Sequence, residues 1–291
     1  MPDVRTIPAD VYSLFDPSVD HKVSEDNLES LCENLKGLIR DRLAVQHSRS
    51  GALRFSSLGK PDRHLWYDAH PVEGGTEPLL PKTYLKFMYG DVIEQLLLFL
   101  VKEAGHEVTH EQHEVEADGV LGHIDAIIDG TVVDVKSASP YGYKKFQMNT
   151  VPEDDPFGYT AQLAGYASVL TPDKPAAWLA MDKVGGDICV SILPTSVIKY
   201  HQPEPRIKEL KEVLEADEPP PRCYDLIPDG KSGNMKLPPG CSYCAHKFRC
   251  YPDLRVFLYS TGPRFLAVTA KVPDVPEVTN LESTPDEGNS D

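Results

Sequence analysis

The sequence predicts an α/β fold: a mixed central β-sheet flanked by helices, followed by a cysteine-rich loop that binds a metal. Three observations predict it. Long stretches with apolar residues at helical spacing alternate with short β-branched runs. An Asp129-Gly130 pair separates two of those runs and signals a two-residue hairpin. Four of the six cysteines, Cys223, Cys241, Cys244 and Cys250, lie close together, with Pro and Gly around the last three.

In chain order, residues 26–43 form an amphipathic helix. Leu28, Leu31, Leu35, Leu38 and Ile39 make its apolar stripe, Cys32 belongs to the core side, and Ser24 or Asp26 can cap it. Residues 84–103 place Phe87, Val92, Ile93, Leu96, Leu97 and Leu100 at helical spacing with no internal proline. The run 96–101 is apolar nearly all round, so a buried helix is expected, and Glu94 on it needs a reason. Residues 106–115 read as the first strand, and 120–128 with 131–135 as the arms of the hairpin. Residues 156–170 read as a helix with Gln162 and Tyr166 at i and i+4 on one face. Residues 176–181 and 188–193, around Gly185-Gly186, read as a closing strand pair with Cys189 in the core. A further helix over 195–216 ends at Pro219-Pro220-Pro221. The expected organisation is therefore an N-terminal helical and end-binding segment (1–75), a core (76–218), a cysteine-rich region (219–271) and a disordered tail (272–291). The tail carries six acids, three prolines and no Lys or Arg.

The chemistry concentrates at the hairpin. Side chains alternate along a strand, so Asp134 and Lys136 project to one side while Val135 points away. Asp125 lies one hairpin arm upstream. Two carboxylates held close repel by about 1 kcal/mol in water and about 4 kcal/mol in a partly buried site, so the pair favours a divalent cation. A metal there with a lysine beside it suits phosphodiester hydrolysis. The short pattern alone says little: acidic-x-Lys occurs at Asp20, Asp134, Glu209 and Asp229, and a lone copy is ordinarily a surface ion pair. Only the Asp134 copy sits in an apolar strand with a second aspartate nearby.

Gly90-x3-Glu94, Gly122-His-Ile-Asp125, Asp134-Val-Lys136 and Gln162-x3-Tyr166, in this order, resemble the PD-(D/E)xK nuclease superfamily. The nearest branch is the RecB-like exonucleases, which include phage recombination and CRISPR-associated nucleases; the likeness spans roughly residues 50 to 255. It implies a restriction-endonuclease-like core and a DNA exonuclease acting on linear ends in recombination, replication or repair, alongside a single-strand annealing or recombination protein. Glu94, Asp125, Asp134 and the Val135 carbonyl would hold Mg2+ or Mn2+. Lys136 would position or activate the attacking water, and Gln162 and Tyr166 would orient that lysine or contact the DNA backbone. Many relatives have glutamate where this chain has Asp134. Two other classes fit the same fold, a non-catalytic DNA-end-binding adaptor and a structure-specific endonuclease, but a retired site has no need to keep clustered carboxylates.

Neither a basic leader with an apolar stretch nor a run of about 18 apolar residues occurs, so a cytoplasmic protein that engages no membrane is expected. Disulfides are disfavoured in that compartment, and clustered cysteines then point to metal. A nearly all-thiolate set suits an iron-sulfur cluster or Zn2+. In the resembling branch, the C-terminal cysteine triplet joins one earlier cysteine to hold a 4Fe-4S cluster. Residues 56–67, the expected place of that cysteine, contain none. Cys223 is the first choice for the fourth ligand, then Cys32, then His246. The formal charge of −16 is unusual for a DNA enzyme, yet residues 36–63 hold seven basic residues against Asp41 and Asp62. Within that strip, Arg54, Ser56, Ser57 and Arg63 read as a phosphate pocket.

Overall fold

The computed structural model describes residues 3–44, 52–74, 76 and 80–278. The elements begin with α1 (Ile7–Ser13), α2 (Glu25–Ala44), α3 (Asp62–Ala69) and α4 (Pro81–Glu103). Four short strands, β1 (Val108–Thr109), β2 (Glu114–Ala117), β3 (Val120–His123) and β4 (Ala126–Ile128), precede the longer β5 (Thr131–Ala138). Next come α5 (Pro140–Gln147), α6 (Tyr159–Leu170), β6 (Ala176–Asp182), β7 (Ile188–Leu193), α7 (Thr195–Tyr200) and α8 (Pro203–Glu215). The remainder is β8 (Ile227–Pro228), β9 (Met235–Lys236), α9 (Pro239–Ser242), α10 (Lys247–Cys250), β10 (Arg255–Tyr259) and β11 (Gly262–Val268). Two compact units result, one from Met1–Lys60 with Leu79–Asp217, the other from Pro61–Pro78 with Glu218–Asp291. The sequence boundaries differ from these, because residues 61–74 fold with the cysteine region.

The first unit holds a five-stranded sheet in the order β1-β4-β5-β6-β7, with β5 and β6 parallel and the other pairs antiparallel. Val132, Val133, Asp134 and Val135 are buried in succession on β5, the pattern of a strand covered on both faces. Ile93, Leu97, Leu98 and Val101 of α4 pack on Val133 and Val135, with Ala177 and Leu179 of β6 in the same core. Gln162 of α6 reaches Asp134, which alternation places on the opposite face. The α4 run 96–101 is not buried all round, since Leu96 stays 39% exposed.

Several expected elements are subdivided. The strand expected over 106–115 ends at Thr109, because His110 and Gln112 take left-handed φ values of 55° and 51°. The arm expected over 120–128 breaks at Ile124-Asp125: β3 pairs with β2 and β4 pairs with β5. Each pair turns on an Asp-Gly with positive φ at both residues, Asp118-Gly119 (48° and 77°) and Asp129-Gly130 (50° and 74°). The helix expected over 195–216 is cut before Pro203, which lacks the amide a continuous helix needs and starts α8 instead. On α2, capped by Ser24 Oγ, no residue is fully buried, and Cys32 is exposed rather than part of a core.

The second unit is more than a loop. Strands in the order β10-β11-β9-β8 form an antiparallel sheet over a small core of Leu237, Tyr251, Val256 and Phe265. The start of the acidic tail adds to it: the amides of Leu258 and Val278 donate to Pro276 O and Val256 O, both at 2.9 Å, and Arg255 forms a two-pronged ion pair with Glu277. Residues 279–291 lie outside the described residues. No described helix is long and apolar enough to cross a membrane.

Candidate active site and cysteine centre

The break between β3 and β4 builds the first site. It frees Asp125 from a ladder position, and Asp125 Oδ2 accepts a 2.6 Å hydrogen bond from the Val135 amide on the neighbouring strand. Asp134 is buried on β5, and Lys136, two residues on, sets its Nζ 2.6 Å from Asp134 Oδ2. That oxygen has no donor besides the ammonium, while Oδ1 receives a long 3.4 Å contact from Gln162 Nε2. Glu94 enters from α4 and accepts from Gln112 Nε2 at 2.8 Å.

Electrostatics follow from this crowding. Burial, and then the charges of Asp125, Asp91 and Asp134, push Glu94 up to about 8. Burial and Asp134 raise Asp125 to about 7, against the pull of Lys136 and the Val135 amide. Burial also raises Asp134. Lys136 moves the other way from what burial alone would do, because Asp134 and Asp125 hold its charge in place. Three carboxyls that resist ionising together, one with an under-coordinated buried oxygen, form a donor set suited to a hard divalent cation. Glu94 also lines an open cleft of about 660 Å³ between α2 and α4, whose wall includes Glu33, Asp41, Asp91 and Glu111.

Gln162 and Tyr166 take different parts. Tyr166 is buried, stacked on Phe55 with centroids 4.9 Å apart and planes 8° from parallel. Gly122 permits that stack, since a Cβ there would lie 2.6 Å from Phe55 Cβ and 2.8 Å from the Tyr166 ring. The ring that Lys136 touches is that of Tyr159, with Nζ 4.9 Å from its centroid. Tyr159 lies one turn before Gln162; an aromatic opening a helix after Asp155-Pro-Phe-Gly was the signal that could have found it.

The basic strip divides between the two units. Arg54 and Ser56 are exposed, but Ser57 is buried and Arg54 O accepts its amide. Lys36 pairs with Glu33 and Arg42 with Asp91, each at 2.5 Å, and Arg49 lies outside the described residues. Arg63 belongs to the second unit, where it donates to Pro220 O, stacks on Tyr67 and meets Cys250.

The second site is the cysteine centre. Burial and the neighbouring Cys244, Cys223 and Cys250 push the Cys241 thiol up to about 12. Burial likewise raises Cys223, while the amides of Arg63 and His64 in the first turn of α3 donate to it. His64 Nδ1 lies 3.3 Å from Cys244 Sγ, and its other face pairs with Asp68, which also bonds His246 Nε2 at 2.8 Å. Those partners, set against the effect of burial, raise His64 to about 9. So residues 56–67, which lack the expected cysteine, instead bring cationic and amide donors to three of the thiols. Cys32 lies on α2 in the other unit, and His246 is occupied by Asp68. Among the described residues, the group of metal-binding side chains gathered within 4.8 Å is His64, Asp68 and His246; neither the carboxylates nor the thiols are drawn that tightly together.

No family model and no curated protein sequence matches the chain. Among solved structures it is similar to SSO0001, with a TM-score of 0.40 and 14% identity over 77% of this chain and 94% of that one. It is also similar to an alkaline exonuclease, LHK-Exo from Laribacter hongkongensis, with a TM-score of 0.39 and 15% identity over 58% of this chain and 90% of that one. The same exonuclease in complex with dAMP gives a TM-score of 0.35 and 14% identity over 57% and 91%.

Proposed function

We propose that the first unit is a Mg2+- or Mn2+-dependent deoxyribonuclease of the RecB-like PD-(D/E)xK type, working from the ends of linear DNA, and that the second unit holds a 4Fe-4S cluster. The observation that carries the reading is the convergence of Glu94, Asp125 and Asp134 on Lys136 at the strand break, with Glu94 and Asp125 brought near neutrality. A cation held by Asp125, Asp134 and the Val135 carbonyl, with Glu94 beside it, would neutralise these carboxylates and polarise the scissile phosphate. Lys136 stays charged between Asp134 and Tyr159, so it does not take a proton from water. Its ammonium instead orients the phosphate and offsets the charge that grows on it. Glu94, its Oε1 held by Gln112, would complete the carboxylate set around that cation. Asp134 fixes the lysine, and Gln162 steadies Asp134.

For the cysteine centre, Cys223, Cys241, Cys244 and Cys250 perturb one another, which supports one shared centre. A nearly all-thiolate set suits an iron-sulfur cluster or Zn2+, and the resemblance favours the cluster. Donors from Arg63 and His64 would offset the negative charge of such a set.

The test is cleavage of end-labelled linear and closed circular DNA with and without Mg2+. Linear DNA alone should be degraded, only with the cation. Asp134→Asn and Lys136→Ala should each lower turnover at least a hundredfold, whereas Asp20→Asn, an exposed copy of the short motif, should match the wild type. Wild-type rates from either of the first two variants would overturn the assignment.

A further inference from the structure

His64 and Asp68 lie one turn apart on α3 and so share a face of that helix. His246, which is buried, comes from the segment just before α10, 178 residues beyond Asp68 in the chain. Its Nε2 lies 2.8 Å from Asp68 Oδ1, and His64 Nε2 lies 3.3 Å from Asp68 Oδ2, so both imidazoles turn the same nitrogen to one carboxylate. The two rings meet edge to face, 81° apart with centroids separated by 5.2 Å. One donor atom from each of the three residues lies within 4.8 Å of the other two. Donors on a single zinc sit about 3.4 Å apart, given bonds of about 2.0–2.1 Å, so small side-chain rotations bring the set onto one ion.

The far nitrogen of each ring is also held. His64 Nδ1 lies 3.3 Å from Cys244 Sγ, and His246 Nδ1 lies 3.4 Å from Thr76 Oγ1. A ligating imidazole needs such a partner: with its proton at Nδ1, where sulfur or oxygen accepts it, the Nε2 lone pair is free for a metal. Two imidazoles and a carboxylate suit Zn2+, whereas an all-oxygen set such as Glu94, Asp125 and Asp134 suits Mg2+ or Mn2+. His64 and Asp68 are only partly buried, which leaves one side for a water as the fourth ligand.

We propose that His64, Asp68 and His246 bind one Zn2+ that ties α3 to the segment before α10, at a site separate from the carboxylates and from the cysteine centre. The inference rests neither on the nuclease reading nor on the cluster. Its ligands come from the two stretches of chain that make up the second unit. Joining them closes a loop of 178 residues, and cross-links across long loops remove the most freedom from the unfolded chain. Through the contact of His64 with Cys244, the ion would also steady one wall of the cysteine centre.

The full-length protein is loaded with Zn2+ anaerobically, desalted and analysed for zinc, iron and sulfide as wild type, Asp68→Asn and His246→Gln. Each variant should hold one zinc fewer per chain than the wild type and bind added Zn2+ at least about a hundredfold more weakly, while whatever the thiols hold stays the same. Zinc X-ray absorption of the wild type should show imidazole nitrogen in the first shell, which separates this ion from zinc on the thiols. That measurement needs no variant, so it decides the case even where a substitution unfolds the unit. An unchanged zinc count in either folded variant, wild-type zinc bound by sulfur alone, or a wild type that retains no zinc would overturn the site and leave the three residues as a hydrogen-bonded triad.

Discussion

Asp125 and Glu94 have a measurable consequence beyond turnover. Their carboxyls, raised to about 7 and about 8 from ordinary values of 3.8 and 4.5, keep protons in the folded chain that the unfolded chain has already released. Without a divalent cation, stability should therefore fall as pH rises from about 4 to about 8. A cation held at the proposed site would require the deprotonated carboxylates, so it should remove that fall and favour the higher pH. Thermal unfolding from pH 5 to 8, in EDTA and in Mg2+, measures this directly. A Tm in EDTA independent of pH, or an equal slope with Mg2+, would contradict the assigned environment. Asp125→Asn should flatten the EDTA slope, because the amide has no charge to bury.

At the scale of elements, the site depends on backbone close approach as much as on charge. Gly122 on β3 faces the Phe55–Tyr166 stack, and a Cβ added there would come within 3 Å of the Phe55 Cβ and the Tyr166 ring, both fixed by burial. Gly122→Ala should overpack this junction at a cost of about 1–3 kcal/mol and displace Tyr166. Chemical denaturation and tyrosine fluorescence would read the two effects. Wild-type stability would mean that the stack is loose. The same reasoning explains why α6 is the less forgiving helix: the contact between Gly158 and Gly59 and the triple cap by Asp155 set its start, and Gln162 and Tyr166 follow in register.

For the whole molecule, two units with separate cores imply separable loss. Cys244→Ser should remove iron and sulfide and unfold the second unit, since a structural metal centre contributes directly to folding free energy. The five-stranded sheet of the first unit should persist in the same sample. Cys189→Ser, on β7 of the first unit, should leave the metal content unchanged. Anaerobic preparation with iron, sulfide and zinc analysis decides the outcome. Stoichiometric zinc on the thiols would replace the cluster, and no metal at all would remove the cysteine centre from the proposal.

Local chemistry in the sequence is enough for the elements that a short range specifies. Helical spacing places α4 and α6, the Asp129-Gly130 pair places the hairpin of β4 and β5, and alternation sets Asp134 and Lys136 on one side. Left-handed residues are a different matter. His110 and Gln112 take positive φ without being glycine, so the break between β1 and β2 depends on the tertiary contacts that stabilise it, among them the Gln112 amide on Asp125 O. That contact and the Ile124–His113 pairing at the neighbouring break leave Asp125 free to meet the Val135 amide. The placement of Tyr159 under Lys136, and of α3 donors against the cysteines, has the same origin. Such contacts join residues far apart in the chain, and only packing, through burial and close approach, determines which of the available partners they meet.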